Sequence, residues 1–353
     1  RRIEVLTGEK IHFMGVGVSG GESGARYGPS IMPGGDKKVY ERVAAMLEAV
    51  SAKVNNESCV AWLGNGSAGH YVKMVHNGIE YALMQLIAET YQLLKQAAGM
   101  SNDEIHETFA KWNTGRLQSF LIQITASIFT QKDDLTDSRL IDVILDAAHQ
   151  KGTGAWTSED ALAIQVPVPI IDAAVTARNL SALKNERIIA SQKSEGTTSN
   201  IISNKNELVK SLESALYFAM ITAYAQGMAL LQHASTEYHY DLDLAAIARI
   251  WRGGCIIRAS LLEQICSAYK QQSGLQNLMM NEKIANELKE AQSGIRKIIQ
   301  LAVEKSIPVP GLMSSIAYYD GYRSEWLPAN LIQAQRDYFG AHKIGRASCR
   351  ERV

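Results

Sequence analysis

Hydrophobic and polar positions follow two different patterns along the chain, and the change falls near residue 66. Before it, apolar runs at Ile11–Val16 and Cys59–Gly64 predict short strands, and the span from Lys37 to about Val50 has helical periodicity. After it, apolar residues recur at helical spacing almost without interruption. The pattern predicts a partial α/β unit over residues 1–66, followed by a large all-helical domain over residues 67–342.

Start and stop signals divide the helical part. Ser101-Asn-Asp-Glu and Thr157-Ser-Glu-Asp match capping boxes, and Pro328 suits the first turn of a final helix. Long periodic runs cover residues 208–233 and 281–305, and another helix is expected to begin near residue 169 and to continue to residue 191. About ten helices are expected. The predicted fold class is mainly α, with a partial Rossmann-type α/β piece, the C-terminal half of a nucleotide-binding domain, at the N-terminus.

A glycine-rich segment from Gly15 to Gly35 lies between the first predicted strand and the first predicted helix. Its beginning, GVGVSG, matches the GxGxxG of dinucleotide-binding folds, and Asp36 lies near the distance of a ribose-binding acid. That fingerprint needs a helix to begin at its third glycine, whereas further glycines and prolines predict a continuing loop. We therefore favour a loop that holds a carboxylate or hydroxyls through backbone N–H groups and Ser19. A merely flexible loop is the alternative.

Composition and charge exclude several classes of protein. The chain has 36 basic residues (Lys and Arg) and 36 acidic residues (Asp and Glu), so its formal net charge is zero. A protein without net positive charge has no overall electrostatic attraction to nucleic acid or to an anionic membrane. No uninterrupted apolar run reaches the roughly 18 residues of a membrane span, and the first ten residues lack a signal-peptide pattern. The four cysteines have no metal-ligand spacing, which is typical of a reducing compartment. We expect a cytoplasmic protein without a metal site that binds anions through a few local cations.

The sharpest chemical pattern lies in the helix that follows Gly69. Lys73, Asn77 and Glu80 share one face of it. The apolar side is formed by Val72, Val75, Ile79 and Leu83. Two interpretations remain open: an exposed, salt-bridged stripe, or a base and an acid that face a cleft at the domain boundary.

Two further segments carry candidate anion-binding groups. Lys151 and Thr153 flank a glycine in QKGTGAW, where an oxyanion could approach backbone N–H groups, although a helix C-cap would look similar. Arg178 lies in a largely apolar helical stretch, so it is either paired internally or directed into a cleft. The segment WRGGCIIR at Trp251 predicts a junction where glycines let two helices pack closely.

Six segments, taken in order, resemble those of the 6-phosphogluconate dehydrogenase family: GVSGGESGARYGPSIMPGG, GHYVKMVHNGIEYALMQLIAE, QKGTGAWT, TARNLSALKNERIIAS, IWRGGCIIR and LPANLIQAQRDYFGAH. The resemblance runs from residue 1 to His342. It implies oxidative decarboxylation of 6-phosphogluconate to ribulose 5-phosphate and carbon dioxide, with reduction of NADP, a step of the pentose phosphate pathway. It also implies a homodimer with shared active sites.

The resemblance further implies a role for each candidate residue. Lys73 would be the general base and Glu80 the acid that protonates C1 after decarboxylation. The remaining residues would bind substrate: Ser19, Gly20 and Gly21 near the carboxylate; His76 and Asn77 at the hydroxyls and carbonyl; Tyr81, Lys151, Thr153 and Arg178 at the 6-phosphate; and Arg336 and His342 at the phosphate of the other subunit.

Both ends of the sequence depart from this family. We expect the family's nucleotide-binding fingerprint to lie upstream of Arg1, so that NADP preference is inferred from the family and the chain alone is inactive. Residues 343–353 are basic, lack apolar periodicity and resemble vector read-through, so we treat them as a non-native tail. Two rival functions are a sibling β-hydroxyacid dehydrogenase, acting on a small unphosphorylated acid, and a non-catalytic substrate-binding and dimerisation module.

Overall fold

The computed structural model describes residues 11–193 and 201–340. They form two compact units, the first ending at Ile316 and the second beginning at Ala317. The N-terminal part of the first unit contains β1 (Gly15–Ser19), α1 (Gly21–Tyr27), β2 (Ser30–Gly34), α2 (Lys37–Val50), β3 (Lys53–Val54) and β4 (Glu57–Ser58). Strands β1 and β2 pair antiparallel, as do β3 and β4.

Helices make up the rest of the described chain, which confirms the mainly α fold class with a small N-terminal α/β piece. They are α3 (Ala68–Gln96), α4 (Asn102–Trp112), α5 (Phe120–Ile128), α6 (Leu140–Val143), α7 (Thr153–Ala163), α8 (Pro169–Ala182), α9 (Lys184–Lys193), α10 (Lys205–Glu237), α11 (Leu244–Ile250), α12 (Leu261–Gln271), the 3₁₀ turn Leu278–Met280, α13 (Glu282–Glu304), α14 (Pro310–Tyr322) and α15 (Ala329–Phe339). Helix α14 crosses from the first unit into the second.

The prediction of one long loop over the glycine-rich segment is wrong. Strand β1 begins at Gly15 rather than Ile11, and helix α1 begins directly after Gly20, where we expected no helix. The glycines have a tertiary reason: a Cβ at Gly17 would lie 2.5 Å from the Lys73 Cβ, and one at Gly69 would lie 2.1 Å from a main-chain oxygen of β2. The β1–β2 hairpin therefore lies directly against α3, a contact that only glycine allows.

Three other boundaries differ from expectation. Residues 59–64 form a single bridge, between Val60 and Ile31, instead of a strand. The Ser101 capping box is confirmed, but Thr157 caps nothing, because α7 begins four residues earlier. The helix expected to continue from residue 169 to residue 191 is interrupted at Leu183. The described residues contain fifteen α-helices rather than about ten, several of them short.

Helix α10 forms the centre of the first unit, where it packs against α3 and α13. It is long and apolar enough to cross a membrane, but 94% of its most apolar stretch is buried inside the structure. Core helices of soluble proteins have the same composition, so this is weak evidence for a membrane span. The burial explains the apolar run by packing.

The second unit contains the end of α14 and helix α15. Within it, Arg323 donates to the Tyr319 hydroxyl (2.8 Å) and Gln333 donates to Asp337 (2.8 Å). Arg336 lies in the last turn of α15. His342 and the expected non-native tail, residues 343–353, lie outside the described residues.

Candidate active site

Helix α3 supplies most of the candidate residues. Its apolar side is fully buried, as the periodicity predicted, with Val72, Val75 and Ile79 at 0% exposure. The opposite face is not the exposed stripe of one interpretation, because Lys73, Asn77 and Glu80 are all half-buried. No ion pair joins Lys73 to Glu80 within the described residues.

A hydrogen-bonded cluster links this face to strand β1. The His76 ring is fully buried, and its Nε2 lies 3.0 Å from the Ser19 Oγ. Its Nδ1 lies 3.4 Å from the Lys73 Nζ and 3.2 Å from the Asn77 Oδ1. The Asn77 Oδ1 can only accept, so a proton on Nδ1 satisfies that contact and lets the Ser19 hydroxyl donate to Nε2, whereas a proton on Nε2 lets Lys73 donate to Nδ1 and Nε2 donate to Ser19. The backbone N–H of Ile256 also donates to Ser19, at 3.4 Å.

Burial moves the pKa values of the two candidate acid–base groups in opposite directions. Desolvation lowers the pKa of Lys73, partly offset by the charge of Glu80. Desolvation raises the pKa of Glu80, partly offset by Lys73 and Arg178. Burial and the Lys73 charge hold the pKa of His76 well below its ordinary value, so the ring is neutral. A lysine whose pKa is lowered, near a carboxyl whose pKa is raised, is an arrangement that suits general acid–base chemistry.

A second cluster lies about two turns further along α3. The Arg178 guanidinium stacks 3.4 Å from the centre of the Tyr81 ring, and Arg178 has no acidic ion-pair partner in the described residues. A Cβ at Gly154 would lie 2.3 Å from Tyr81, so α7 approaches α3 as closely as glycine permits. Thr153 is the first residue of α7, and Lys151 is exposed just before it. Because the half-buried Arg178 guanidinium pairs with no carboxylate, it can bind the anionic group of a ligand.

A cavity of about 570 Å³ opens beside the first cluster. It brings together three of the predicted site residues, Lys73, Asn77 and Thr153. Its other walls come from Val16, Gly17, Val18, Ser67, His70, Tyr71, Met74, Trp156 and Tyr240. Gly20 packs against the helix junction at residue 254, where a Cβ would lie 2.5 Å from the main-chain oxygen, and Gly21 is exposed.

Several residues around these clusters escaped the sequence prediction. Tyr71, Trp156 and Tyr240 line the cavity, and the Trp251 ring meets His76 edge-on at 5.6 Å. For Trp251 a signal existed, because the WRGGCIIR motif was recognised as a packing junction. Tyr240 is more than 150 residues from Lys73 in sequence, so no local pattern could reveal it. Within the described residues, no group of three or more His, Cys, Asp or Glu side chains could hold a metal ion.

Two family models match consecutive parts of the chain. Residues 1–64 match the NAD binding domain of 6-phosphogluconate dehydrogenase, and residues 69–353 match its C-terminal domain. The chain belongs to the 6-phosphogluconate dehydrogenase family. The resemblance carried by the six sequence segments is thereby confirmed.

Individual relatives agree with the family models. The chain is 54% identical over 347 residues to the NADP-dependent, decarboxylating 6-phosphogluconate dehydrogenase of Bacillus subtilis, covering 98% of this chain and 74% of the relative. It is 50% identical to the decarboxylating enzyme of Schizosaccharomyces pombe, covering 97% of this chain and 70% of that protein. The solved structure of the Plasmodium falciparum enzyme, studied with NADP⁺ and with 6-phosphogluconate, has a TM-score of 0.96 at 45% identity, covering all of this chain and 75% of its own.

Proposed function

We propose that this chain is the catalytic part of an NADP-dependent 6-phosphogluconate dehydrogenase, which converts 6-phosphogluconate to ribulose 5-phosphate and carbon dioxide. The observation that carries the proposal is the pairing, on one helix face, of a desolvated lysine with a desolvated carboxyl, Lys73 and Glu80. The named activities of relatives at about 50% identity support the same reaction.

In the proposed mechanism, Lys73 removes the proton of the C3 hydroxyl as that carbon is oxidised. The resulting ketone is β to the carboxylate, so carbon dioxide can leave and an enediol remains. Glu80 then protonates C1 to give the ketose. His76 and Asn77 orient the hydroxyls and the carbonyl, and hydrogen-bond donors at that oxygen stabilise the charge that develops on it. The low pKa of Lys73 and the high pKa of Glu80 suit these roles.

The substrate would lie between the two clusters. Ser19, Gly20 and Gly21 hold the carboxylate end in this proposal. The phosphate end is assigned to Tyr81, Lys151, Thr153 and Arg178. A guanidinium stacked on an aromatic ring and free of acids fits an anion of this kind.

NADP, when bound, would supply the acceptor for the hydride that leaves C3. Val16, Val18 and Trp156 line the same cavity as Lys73 and Asn77, so these side chains would lie beside a bound nicotinamide. The described residues contain no evident binding site for the rest of the nucleotide. A dinucleotide-binding unit has parallel strands and a longer helix after the first strand, whereas β1 pairs antiparallel and α1 has only seven residues. Preference for NADP is proposed from the relatives.

The proposed domain organisation is a partial nucleotide-binding unit over residues 1–66, a substrate-binding and dimerisation domain over 67–342, and a non-native tail. We propose a homodimer in which Arg336 and His342 complete the partner's phosphate site. A mixed dimer of two full-length parents, one with Lys73→Met and the other with Arg336→Ala, each inactive alone, tests this. If Arg336 acts in trans, half of the sites are intact and activity returns. No recovery in confirmed heterodimers would place Arg336 in its own subunit's site.

Two measurements test the function itself. The chain should bind 6-phosphogluconate at least tenfold more tightly than gluconate, by calorimetry. Completed with the segments of the Bacillus subtilis relative that it does not span, it should release one carbon dioxide per NADPH formed. Equal binding of the two acids would favour a sibling β-hydroxyacid dehydrogenase. Selective binding without turnover in the completed form would favour the non-catalytic module.

A cytoplasmic enzyme without nucleic-acid or membrane partners is proposed from the balanced charge.

A further inference from the structure

The carboxylate of Asp160 belongs to neither cluster, and its hydrogen bonds link α7 to α3 and to the end of α10. Asp160, on α7, accepts a hydrogen bond from the Tyr71 hydroxyl at 2.5 Å and another from the Tyr238 hydroxyl at 2.8 Å. Tyr71 lies on α3 two residues before Lys73, and Tyr238 ends α10. Because each oxygen of Asp160 receives a phenol, one side chain fixes α7 to both neighbouring helices.

The tyrosines are held in place independently of Asp160. The rings of Tyr71, Tyr238 and Tyr240 form a triangle with centroids 5.5–5.7 Å apart, and the Tyr240 hydroxyl lies 3.0 Å from the Ser67 Oγ. His239 and Asp241 adopt left-handed backbone conformations, with φ of 54° and 58°. Such conformations are costly for residues other than glycine, and they turn Tyr238 and Tyr240 toward the same side.

The Asp160 contact is the first step of an antiparallel seam between α3 and α7. The seam has three steps: Tyr71 with Asp160, Met74 with Thr157, and Tyr81 with Gly154. At the middle step, the Thr157 hydroxyl donates to the Met74 carbonyl at 2.9 Å, and Gly78 leaves room for it. Positions advance by three and then by seven residues on α3 while they recede by three each time on α7, and Gly78, which lies between Met74 and Tyr81, faces Thr157. The seam therefore has one register.

This register sets the distance between the two clusters. Lys73 belongs to α3, whereas Thr153 is the first residue of α7, at the end of the seam opposite Asp160. A shift of α7 along α3 would move Thr153 and the neighbouring Lys151 relative to Lys73, and also relative to Tyr81 and Arg178. A ligand that reaches the start of α7 is sensitive to such a shift, and a ligand held by α3 and β1 alone is not.

We propose that Asp160, through Tyr71 and Tyr238, is a positioning residue that fixes the span between the base, Lys73, and the phosphate-binding start of α7. The inference rests on the proposed function, since it assumes that 6-phosphogluconate bridges the two clusters. Asp160 lies outside the lining of the cavity that contains Lys73, so it acts through the helix that carries Thr153.

The test compares one bridging ligand with two short ones on the chain as it is. Calorimetry measures 6-phosphogluconate, gluconate and inorganic phosphate against the parent and Asp160→Ala. The variant should bind 6-phosphogluconate about tenfold more weakly, the scale of losing hydrogen bonds to a charged group; inorganic phosphate should weaken as well, whereas gluconate should stay within about twofold of the parent. Tyr71→Phe and Tyr238→Phe, which remove one oxygen each, should each reproduce part of the loss. Neither should add to it in the Asp160→Ala background.

Controls separate positioning from folding. Glu159→Ala changes an exposed carboxylate next to Asp160 and should alter none of the three affinities. If Asp160→Ala unfolds, the two phenylalanine variants carry the test. Equal losses for all three ligands, or no loss for 6-phosphogluconate, would overturn the positioning role. A parent chain that fails to prefer 6-phosphogluconate over gluconate would instead overturn the proposed function.

Discussion

Helix α3 carries two buried carboxyl groups nine residues apart, Glu80 and Glu89, and their surroundings differ. Burial raises the pKa of both, that of Glu89 to about 7. Glu89 accepts hydrogen bonds from the backbone N–H groups of Gly311 (2.7 Å) and Leu312 (2.9 Å) and from Gln85 (2.9 Å). Glu80 accepts none within the described residues, and the Nδ1 of the neutral His76 ring lies 3.8 Å from its Oε2.

The difference shows that a shifted pKa alone does not mark a reacting group. Glu89 satisfies the first turn of α14, so its oxygens are fully used and its role is to join two helices. Glu80 is half-buried and also carries a burial penalty, but without those bonds, and the charges of Lys73 and Arg178 partly offset that penalty. A desolvated acid with unused oxygens is available to a substrate. The substitutions that follow alter either Glu80 and its neighbours or Glu89.

Removal of the base beside Glu80 should have the largest effect. In the completed enzyme, Lys73→Met should lower kcat by at least about 10³-fold, because base removal eliminates proton transfer and a local charge. Binding of 6-phosphogluconate should change by less than about tenfold. Steady-state kinetics and calorimetry give the two numbers. Wild-type turnover in this variant would refute the base assignment and restore a structural role for the whole face.

Helical periodicity correctly predicted which face of α3 holds Lys73, Asn77 and Glu80, since spacing along a helix is local. The segment around Gly17 was predicted wrongly, because its glycines serve a close approach to Lys73, a contact that no local rule contains. Asp160 entered the prediction only as the end of a capping box that does not form, because its phenol partner Tyr71 lies 89 residues away in sequence. Residues whose meaning depends on contacts between distant segments need the fold.

Neutralising Glu80 should separate the two halves of the reaction. Glu80→Gln should reduce ribulose 5-phosphate formation by about 10²–10⁴-fold, the usual contribution of a general acid. Formation of NADPH in the first turnover should suffer less, because the acid acts after decarboxylation. Rapid-quench and stopped-flow measurements distinguish the steps. Glu89→Gln is the control, since it removes a more deeply buried carboxylate on the same helix that lies outside both clusters; it should leave both steps near wild type. Equal losses in both steps for Glu80→Gln would argue against the acid role.

Arg178, which is assigned to the phosphate of the substrate, should affect the affinity for 6-phosphogluconate more than the rate of reaction. Arg178→Ala should weaken 6-phosphogluconate by about 1.5–3 kcal/mol, the scale of a charge-assisted hydrogen bond, and gluconate hardly at all. The stacking of Arg178 on Tyr81 requires a control, Arg178→Lys, which keeps the charge but loses the planar contact. Calorimetry on the chain itself is sufficient. Equal weakening of both acids would mean that Arg178 supports the fold rather than the phosphate.

The smallest effect on activity is expected at Glu89, where the change should appear in stability and its pH dependence. The pKa of Glu89 is raised from 4.5 to about 7 by burial, so the folded protein holds a proton there that the unfolded chain has released. Between these values stability must fall as pH rises, by at most about 1.4 kcal/mol per pH unit from this group. Glu89→Gln cannot titrate, so the stability of the wild type relative to this variant should decrease from about pH 4.5 to about pH 7 and then level off.

The variant also loses an acceptor, because one amide oxygen cannot replace the two oxygens that receive Gly311 and Leu312. A buried N–H left without a partner costs about 1–3 kcal/mol, so Glu89→Gln should be less stable than wild type at the acidic end of this range. Urea unfolding of both proteins at half-unit pH intervals from 4.5 to 8 measures the difference directly. Glu80→Gln provides a second comparison. Because no backbone N–H donates to Glu80, this substitution should lower the free energy of unfolding less than Glu89→Gln does. If the difference between wild type and Glu89→Gln stayed constant across the range, Glu89 would be ionised throughout, and its three hydrogen bonds would outweigh burial.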